Sequence, residues 1–335
     1  KAASGPDGDG VHLFTAAGAN ARSVADYIWM ALCHVTTGDD KPLSGRRMGV
    51  IGCGNCGGEV ARTAKAFGMD LLRRDPPRAE QEEDFRTAPL EETLAADFVT
   101  LHVPLTEAGE SDWPTYHLLD GLALGEMGRD AWFFNASRGA VVDSDALSEA
   151  LAAGRPRGAV LDVYEGEPEP PKELVRQTEL ATPHIAGYAI EGRRRATTSV
   201  YNQLCEAADI DAVDTEPLLR GEFSPPQGED LEFETSGRAA LDADNAMRRL
   251  LKEVYDIEHV SNEFKSTLEE PDRGARFDRM RDREGRGRRH EVRSYKVAVD
   301  ADVPEPLRAE LRRRMDGFRA EVCPPEEANY ILSPA

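Results

Sequence analysis

Nowhere in its 335 residues does the chain hold an apolar run of the roughly 18 residues that a membrane helix needs, so no membrane span is expected. Cysteine is scarce and odd in number: Cys33, Cys53, Cys56, Cys205 and Cys323. Five thiols make a poor disulfide scaffold and fit a reducing cytoplasm. Lysine is scarcer relative to arginine, seven against 34. A basic segment followed by an apolar one is absent, so a secretory signal is not expected. The first residue is Lys1 rather than Met, which predicts a start inside a longer protein. No internal repeat and no metal-ligand spacing is present.

What is abundant is negative charge. Asp and Glu number 62 against 41 basic residues, a net charge of −21. Such a chain is repelled by nucleic acid and by anionic membranes. Its acidic, lysine-poor surface suits a salty cytoplasm and predicts a response of fold and activity to molar salt. Hydrophobic residues make up 40%, and the length suggests about two domains.

A helix is expected over 22–35, with Val24, Tyr27, Ile28, Ala31 and Leu32 on one face and Asn20 or Ser23 as its cap. A short strand is expected at 11–15. From residue 47 short apolar runs alternate with helical stretches. Strands are expected at 48–52, 70–73, 98–102, 132–135, 159–163 and 179–182. Helices are expected near 57–67, 90–95, 119–127 and 144–153. The alternation predicts an α/β fold with a doubly wound parallel sheet. A long helix follows over 191–208, and 216–229 reads as a linker. The remainder predicts a small α+β unit with helices at 239–255 and 306–319, a strand at 295–299 and an arginine-rich stretch at 273–293. Leu250, Leu251, Val254 and Tyr255 could form that unit's own core or a partner surface.

Gly52-Cys53-Gly54-Asn55-Cys56-Gly57 fits the G-x-G-x-x-G pattern between a strand and a helix. Gly52 suits the tight turn, Gly54 lets the backbone approach a pyrophosphate, and Gly57 lets helix and strand pack closely. Asp75 ends the next strand, where it accepts hydrogen bonds from both ribose hydroxyls and repels a 2′-phosphate, favouring NAD over NADP. Arg73, Arg74 and Arg78 nearby keep NADP as an alternative. Cys53 and Cys56 read as small packing residues rather than a redox or zinc pair.

Arg138, Glu167 and His184 follow three successive late strands. In a parallel sheet these are all carboxyl ends, so the three loops converge on one crevice. Arginine grips a carboxylate, histidine accepts a proton near neutral pH, and a carboxylate beside it fixes its tautomer. Together they suit hydride transfer from a 2-hydroxy acid. His12, His34, His117, His259 and His290 show no partner pattern, and His102 ends a strand near the cofactor.

Residues 17–205 resemble the D-isomer-specific 2-hydroxyacid dehydrogenases. The stretches that carry the resemblance are Gly18-Ala-Asn-Ala-Arg-Ser-Val-Ala-Asp26, the glycine loop, Leu101-His-Val-Pro-Leu105, Asn135-Ala-Ser-Arg-Gly-Ala-Val-Val-Asp143, Leu161-Asp-Val-Tyr-Glu-Gly-Glu-Pro168 and Pro183-His-Ile-Ala-Gly187. Within that family, Asp75-Pro-Pro-Arg-Ala79, Glu165-Gly-Glu-Pro-Glu169 and His184-Ile-Ala-Gly-Tyr-Ala-Ile-Glu-Gly192 resemble the branch that oxidises 4-phospho-D-erythronate in vitamin B6 biosynthesis.

The resemblance implies a Rossmann-type NAD-binding domain over 21–188, a remnant of a flavodoxin-like substrate domain at 1–20, a helix returning to that domain at 189–215, and a C-terminal dimerisation domain over 216–335. It implies Arg138, Glu167 and His184 as the catalytic trio. It implies NAD contacts from Gly52, Gly54, Asn55, Cys56, Gly57, Asp75, Val103, Ala136, Ser137, Arg138, Asp162 and Gly187, and a substrate contact from Tyr188. The implied partners are a phosphorylated 2-hydroxy acid and a second copy of the chain, with no metal. Stretches such as Arg276-Phe-Asp-Arg-Met-Arg281 carry the C-terminal part of the likeness.

Two departures stand out. Most of the N-terminal half of the family's substrate domain is absent, and 4–10 resembles its end only loosely. Val103 stands where this branch carries a threonine, which removes a hydroxyl near the cofactor. The alternatives are another D-2-hydroxy acid such as 3-phosphoglycerate or glycerate, and a catalytically inactive NAD-binding regulatory module. For the substrate phosphate, Arg193, Arg194 and Arg195 are candidates beside the reading of a solvated helix face.

Overall fold

The computed structural model describes residues 12–215, 225–228, 230–233, 235–285 and 289–334. The segment 4–10 and most of the expected linker lie outside the described residues.

Six parallel strands form the larger sheet: β1 Arg47–Ile51, β2 Asp70–Arg74, β3 Phe98–Leu101, β4 Trp132–Asn135, β5 Gly158–Leu161 and β6 Leu180–Ala181, in the order β2-β1-β3-β4-β5-β6. Alternate side chains of each strand enter opposite cores, as the period-two pleat requires. Met48, Val50, Phe98, Phe134 and Val160 face α1 (Ala21–Val35) and α2 (Asn55–Ala66). Ile51, Val99, Leu101, Phe133 and Leu161 face the other way. There they meet Leu94 of α4 (Leu90–Leu94), Leu124 of α5 (Gly121–Gly125), Leu147 of α6 (Ser144–Ala152) and Leu174 of α7 (Lys172–Gln177). Each such buried side chain contributes about 1.5–3 kcal/mol of transfer free energy.

The chain leaves β1 for β2 and then returns past β1 to β3, so successive connections diverge at the carboxyl ends of β1 and β3. That divergence opens the crevice where ligands of such sheets bind. Two further helices belong to this part, α3 (Pro76–Gln81) and α8 (Ile190–Ala207).

The six expected strands all form, and the residues trimmed from their ends, Asp162 and Thr182 among them, belong to the crevice loops. The strand expected at 11–15 does not: residues 12–16 carry no regular structure. Asn20 stands at the N-cap of α1 but makes no side-chain cap bond. Its amide lies instead against Gly187, where an added Cβ would sit 2.6 Å from Asn20 Nδ2.

The C-terminal part contains β7 (Leu231–Phe233), α9 (Ala239–Val254), α10 (Ile257–Ser266), α11 (Arg273–Gly285), β8 (Lys296–Val299), α12 (Glu305–Gly317), β9 (Glu321–Val322) and β10 (Tyr330–Pro334). Its four strands are parallel, in the order β7-β10-β8-β9. This part shares one continuous core with α1 and α2. Leu250, Leu251, Val254 and Tyr255 are buried in that core, so these four are not a partner surface. A fully buried Arg314–Asp244 pair, 2.8 Å apart, ties α12 to α9, and Leu43 N–H donates to the same carboxylate at 2.7 Å. At the sheet edge, Ala181 N–H donates to Ser261 Oγ of α10 at 3.0 Å, so β6 is covered rather than left open. The arginine-rich stretch is laced with ion pairs, including Arg279–Asp272, Arg281–Asp278 and Arg283–Glu263. Among the described residues no helix is long and apolar enough to cross a membrane, and no cluster of metal-ligating side chains occurs.

Candidate active site

Two cavities of about 540 and 260 Å³ lie at the carboxyl ends of the larger sheet, with His102, Val103 and Pro104 as a common wall. A third cavity, about 640 Å³, lies elsewhere, between α1 and α9, and holds none of the residues expected to bind cofactor or substrate.

The smaller cavity is lined by Gly52, Gly54 and Asp75. Gly52 turns the chain with φ +85°, outside the range favoured by residues with a side chain. A Cβ at Gly57 would sit 1.9 Å from Gly52 O, whereas one at Gly54 would meet nothing within 4 Å. The fold therefore demands glycine at 57. At 54, the N-cap of α2, the fold leaves open space through which a ligand can approach the backbone. Asp75 caps α3: Oδ1 accepts from Arg78 N–H at 3.1 Å and Oδ2 from Cys53 N–H at 2.8 Å. Those bonds hold the carboxylate beside the loop and leave lone pairs for two hydroxyls. Arg78 is spent on Cys53 O and Glu82, and Arg73 lies over Phe85, so Arg74 is the one arginine of the three that lines this cavity. The cradle fits an adenine dinucleotide.

Burial pushes the Cys53 thiol up to about 12 and raises that of Cys56, as expected of packing residues. Asn55 opens α2. Val103 lines both cavities and brings no hydroxyl.

The larger cavity gathers most of the rest, with Glu167 standing behind His184 rather than in its wall. Arg138, His184, Asp162, Ala136, Ser137, Gly187 and Tyr188 all line it. Asn135, at the end of β4, accepts from both Ser137 N–H and Ser137 Oγ and donates to Arg138 O, which fixes the turn carrying Arg138. Arg138 Nη1 donates to Ser137 O at 2.6 Å, and the guanidinium pairs with no carboxylate among the described residues. Glu167 accepts from Tyr164 N–H at 2.9 Å with Oε1, and its Oε2 lies 2.8 Å from His184 Nδ1. That hydrogen bond, opposed by burial and aided by the Asp162 charge, holds the His184 pKa above the usual histidine value.

For Asp162 the resemblance implies only a cofactor contact. In the structure it also anchors the histidine loop. Its Oδ1 accepts from Ile185 N–H at 2.7 Å and from Thr182 Oγ1 at 2.6 Å, and its Oδ2 accepts from Ala186 N–H at 2.8 Å. Arg289 grips the same loop from the far side, donating to the carbonyls of Ile185 and Ala186. Glu191, in the first turn of α8, accepts from His290, Ser294 Oγ and Glu291 N–H. These contacts span about a hundred residues, and no local sequence signal announces them.

Three other histidines gain partners that the sequence did not show. His117 lies 2.8 Å from Glu165, His290 lies 2.7 Å from Glu191, and His34 lies 3.9 Å from both Glu179 and Glu258. His102 bonds Thr100 Oγ1 through Nε2 at 2.9 Å, and burial drives its pKa down to about 3, so it stays neutral in the cavity wall.

Comparison with known proteins identifies relatives of the chain. Residues 18–186 match the family described as D-isomer specific 2-hydroxyacid dehydrogenase, NAD binding domain. An erythronate-4-phosphate dehydrogenase of Salinibacter ruber is 38% identical over 326 residues, which cover 92% of this chain and 79% of the relative. The enzyme of the same name from Stutzerimonas stutzeri is 36% identical over 300 residues, covering 88% and 75%. Among solved structures, an NAD-dependent formate dehydrogenase of Staphylococcus aureus in complex with NAD aligns over 59% of this chain and 65% of its own, at 25% identity and a TM-score of 0.48.

Proposed function

The chain belongs to the D-isomer-specific 2-hydroxyacid dehydrogenase family and carries its NAD-binding domain; from that premise we propose that it oxidises 4-phospho-D-erythronate to 2-oxo-3-hydroxy-4-phosphobutanoate, in the synthesis of pyridoxal phosphate. The relatives' names support the substrate. The observation that carries the chemistry is the 2.8 Å contact between His184 Nδ1 and Glu167 Oε2, in loops that converge with Arg138 on one cavity.

His184 takes the C2 hydroxyl proton on Nε2. Glu167 holds Nδ1, fixes the ring's orientation and stabilises the imidazolium that forms. Arg138 pairs with the substrate carboxylate and turns C2 toward the cofactor. Gly52, Gly54, Asn55, Cys56 and Gly57 would hold the pyrophosphate at the start of α2, Asp75 the adenosine ribose, and Val103, Ala136, Ser137, Asp162 and Gly187 the nicotinamide half. NAD, when bound, supplies the oxidant, accepting the C2 hydrogen with its electron pair. Tyr188 closes the substrate side of the cavity. The reading includes a cytoplasmic homodimer joined through the C-terminal part. Five unpaired cysteines support the compartment, and light scattering tests the dimer.

The deciding measurement is NADH formation with 4-phospho-D-erythronate, 3-phosphoglycerate and glycerate in parallel. Turnover confined to the first supports the proposal. Faster turnover of either other acid replaces the substrate, and NAD binding without any turnover replaces the enzyme with a binding module.

A further inference from the structure

The cavity that holds His184 is lined by two arginines, Arg138 and Arg193. Neither pairs with a carboxylate among the described residues. Both side chains are exposed to water, and two arginines on one cavity with no carboxylate partner suit a ligand that brings negative charge. Asp162 is the cavity's single lining carboxylate, and its hydrogen bonds go to Thr182 and the histidine loop rather than to either guanidinium.

The three consecutive arginines at the start of α8 are not equivalent. Arg195 is committed to Glu291 and to Ala19 O. Arg194 does not line the cavity. Arg193 does, and its guanidinium carbon lies 5.9 Å from the centroid of the Tyr188 ring, which steadies a long side chain that is otherwise exposed. Its backbone is fixed as well, by Arg193 N–H donating to Ala189 O at 3.1 Å.

We propose that Arg193 binds the phosphate of the substrate, so that Arg138 and Arg193 hold the two anionic ends of a phosphorylated 2-hydroxy acid with His184 between them. This rests on the functional reading above. A guanidinium presents paired donors that match phosphate oxygens, and that of Arg193 lies between the Tyr188 ring and Gly285 at the rim of the cavity. Arg193 is thereby a specificity-determining residue: it acts on the choice between a phosphorylated and an unphosphorylated acid, not on the proton transfer.

The test is equilibrium binding by calorimetry with the chain saturated with NADH, which permits no turnover of a hydroxy acid. The ligands are 4-phospho-D-erythronate and D-erythronate, and the proteins are wild type, Arg193→Gln and Arg193→Lys. Wild type should bind the phosphorylated acid about tenfold more tightly or better. Arg193→Gln should erase that preference and leave D-erythronate affinity unchanged, and Arg193→Lys should keep part of it. Arg193 is exposed, so the substitutions should leave the fold intact, and an unchanged melting temperature checks it. A preference that survives in Arg193→Gln overturns the assignment of Arg193 alone. A wild type without any preference overturns the phosphorylated-substrate reading, and the assignment falls with it.

Discussion

His184 Nδ1 lies 2.8 Å from Glu167 Oε2, and that one contact sets both the direction and the basicity of the ring. The carboxylate favours the charged imidazolium, so the His184 pKa is raised. Oxidation needs the neutral ring as proton acceptor, so activity should fall as pH drops through that raised pKa. Glu167→Gln removes the main cause of the shift. The acid limb of the kcat/KM profile should then move to lower pH, while the plateau falls by about a hundredfold as the ring loses its support. The same sign governs stability. The pair stabilises the fold most fully below the ordinary histidine pKa and loses that contribution as pH rises through the raised one. An acid limb that stays where it was in Glu167→Gln would show that Glu167 does not tune His184.

Gly54 and Gly57 belong to one sequence pattern but answer to different constraints. A Cβ at Gly57 meets backbone at 1.9 Å, so Gly57→Ala must push β1 and α2 apart. It should cost several kcal/mol of stability, on the order of the most damaging core substitutions. A Cβ at Gly54 meets nothing. Gly54→Ala should therefore melt like wild type and bind NAD at least about tenfold more weakly, because the added methyl occupies the pyrophosphate's approach. Thermal melts and NAD titration of the two variants separate fold from binding. Equal NAD affinity in Gly54→Ala and wild type would refute the placement of the pyrophosphate.

The larger sheet was legible because its inner strands are buried on both faces and read as short apolar runs, and because the crevice residues follow those runs directly. Arg138, Glu167 and His184 could be brought together on paper for that reason: parallel strands put all their carboxyl ends on one side. The C-terminal part was less legible. Its strands are short, β9 having two residues and β7 three, too few for alternation to show. Leu250, Leu251, Val254 and Tyr255 signalled a buried face, but a helix's pattern does not say whether its partner is the same chain, and here it is α1. The contacts of Arg289 with the histidine loop, and of Glu191 in α8 with residues 290–294, join residues about a hundred positions apart, so only the fold reveals them.

Asp75 both braces the glycine loop and faces the smaller cavity. Asp75→Ser keeps a capping oxygen for Arg78 N–H but removes the charge that repels a 2′-phosphate. NAD affinity should fall by about ten- to a hundredfold, as expected for losing hydrogen bonds to a charged acceptor. NADP, answered by Arg74 in the cavity wall, should gain relative to NAD. Steady-state kinetics with both cofactors read the ratio. A ratio unchanged by the substitution would remove Asp75 from cofactor selection.

Glu191 carries the acid sensitivity of the catalytic region. Burial pushes its pKa up, but hydrogen bonds from His290, Ser294 and Glu291 N–H outweigh burial and hold it at about 2, below the ordinary 4.5. A depressed carboxyl stabilises the fold at pH above its unfolded value and loses that contribution as pH falls from about 4.5 toward 2, a total of about 3 kcal/mol. Glu191→Gln should therefore be less stable than wild type at pH 7 by about 2 kcal/mol, and the gap should close as the pH is lowered through that window. Because Glu191 begins the helix that leaves the His184 loop, the variant should also lose kcat while substrate KM changes little, a split that a general loss of stability would not produce. Urea unfolding at pH 7 and pH 3, beside kinetics at pH 7, measures both. A stability gap of the same size at the two pH values would show that the carboxylate is not the group linking the C-terminal segment to the histidine loop.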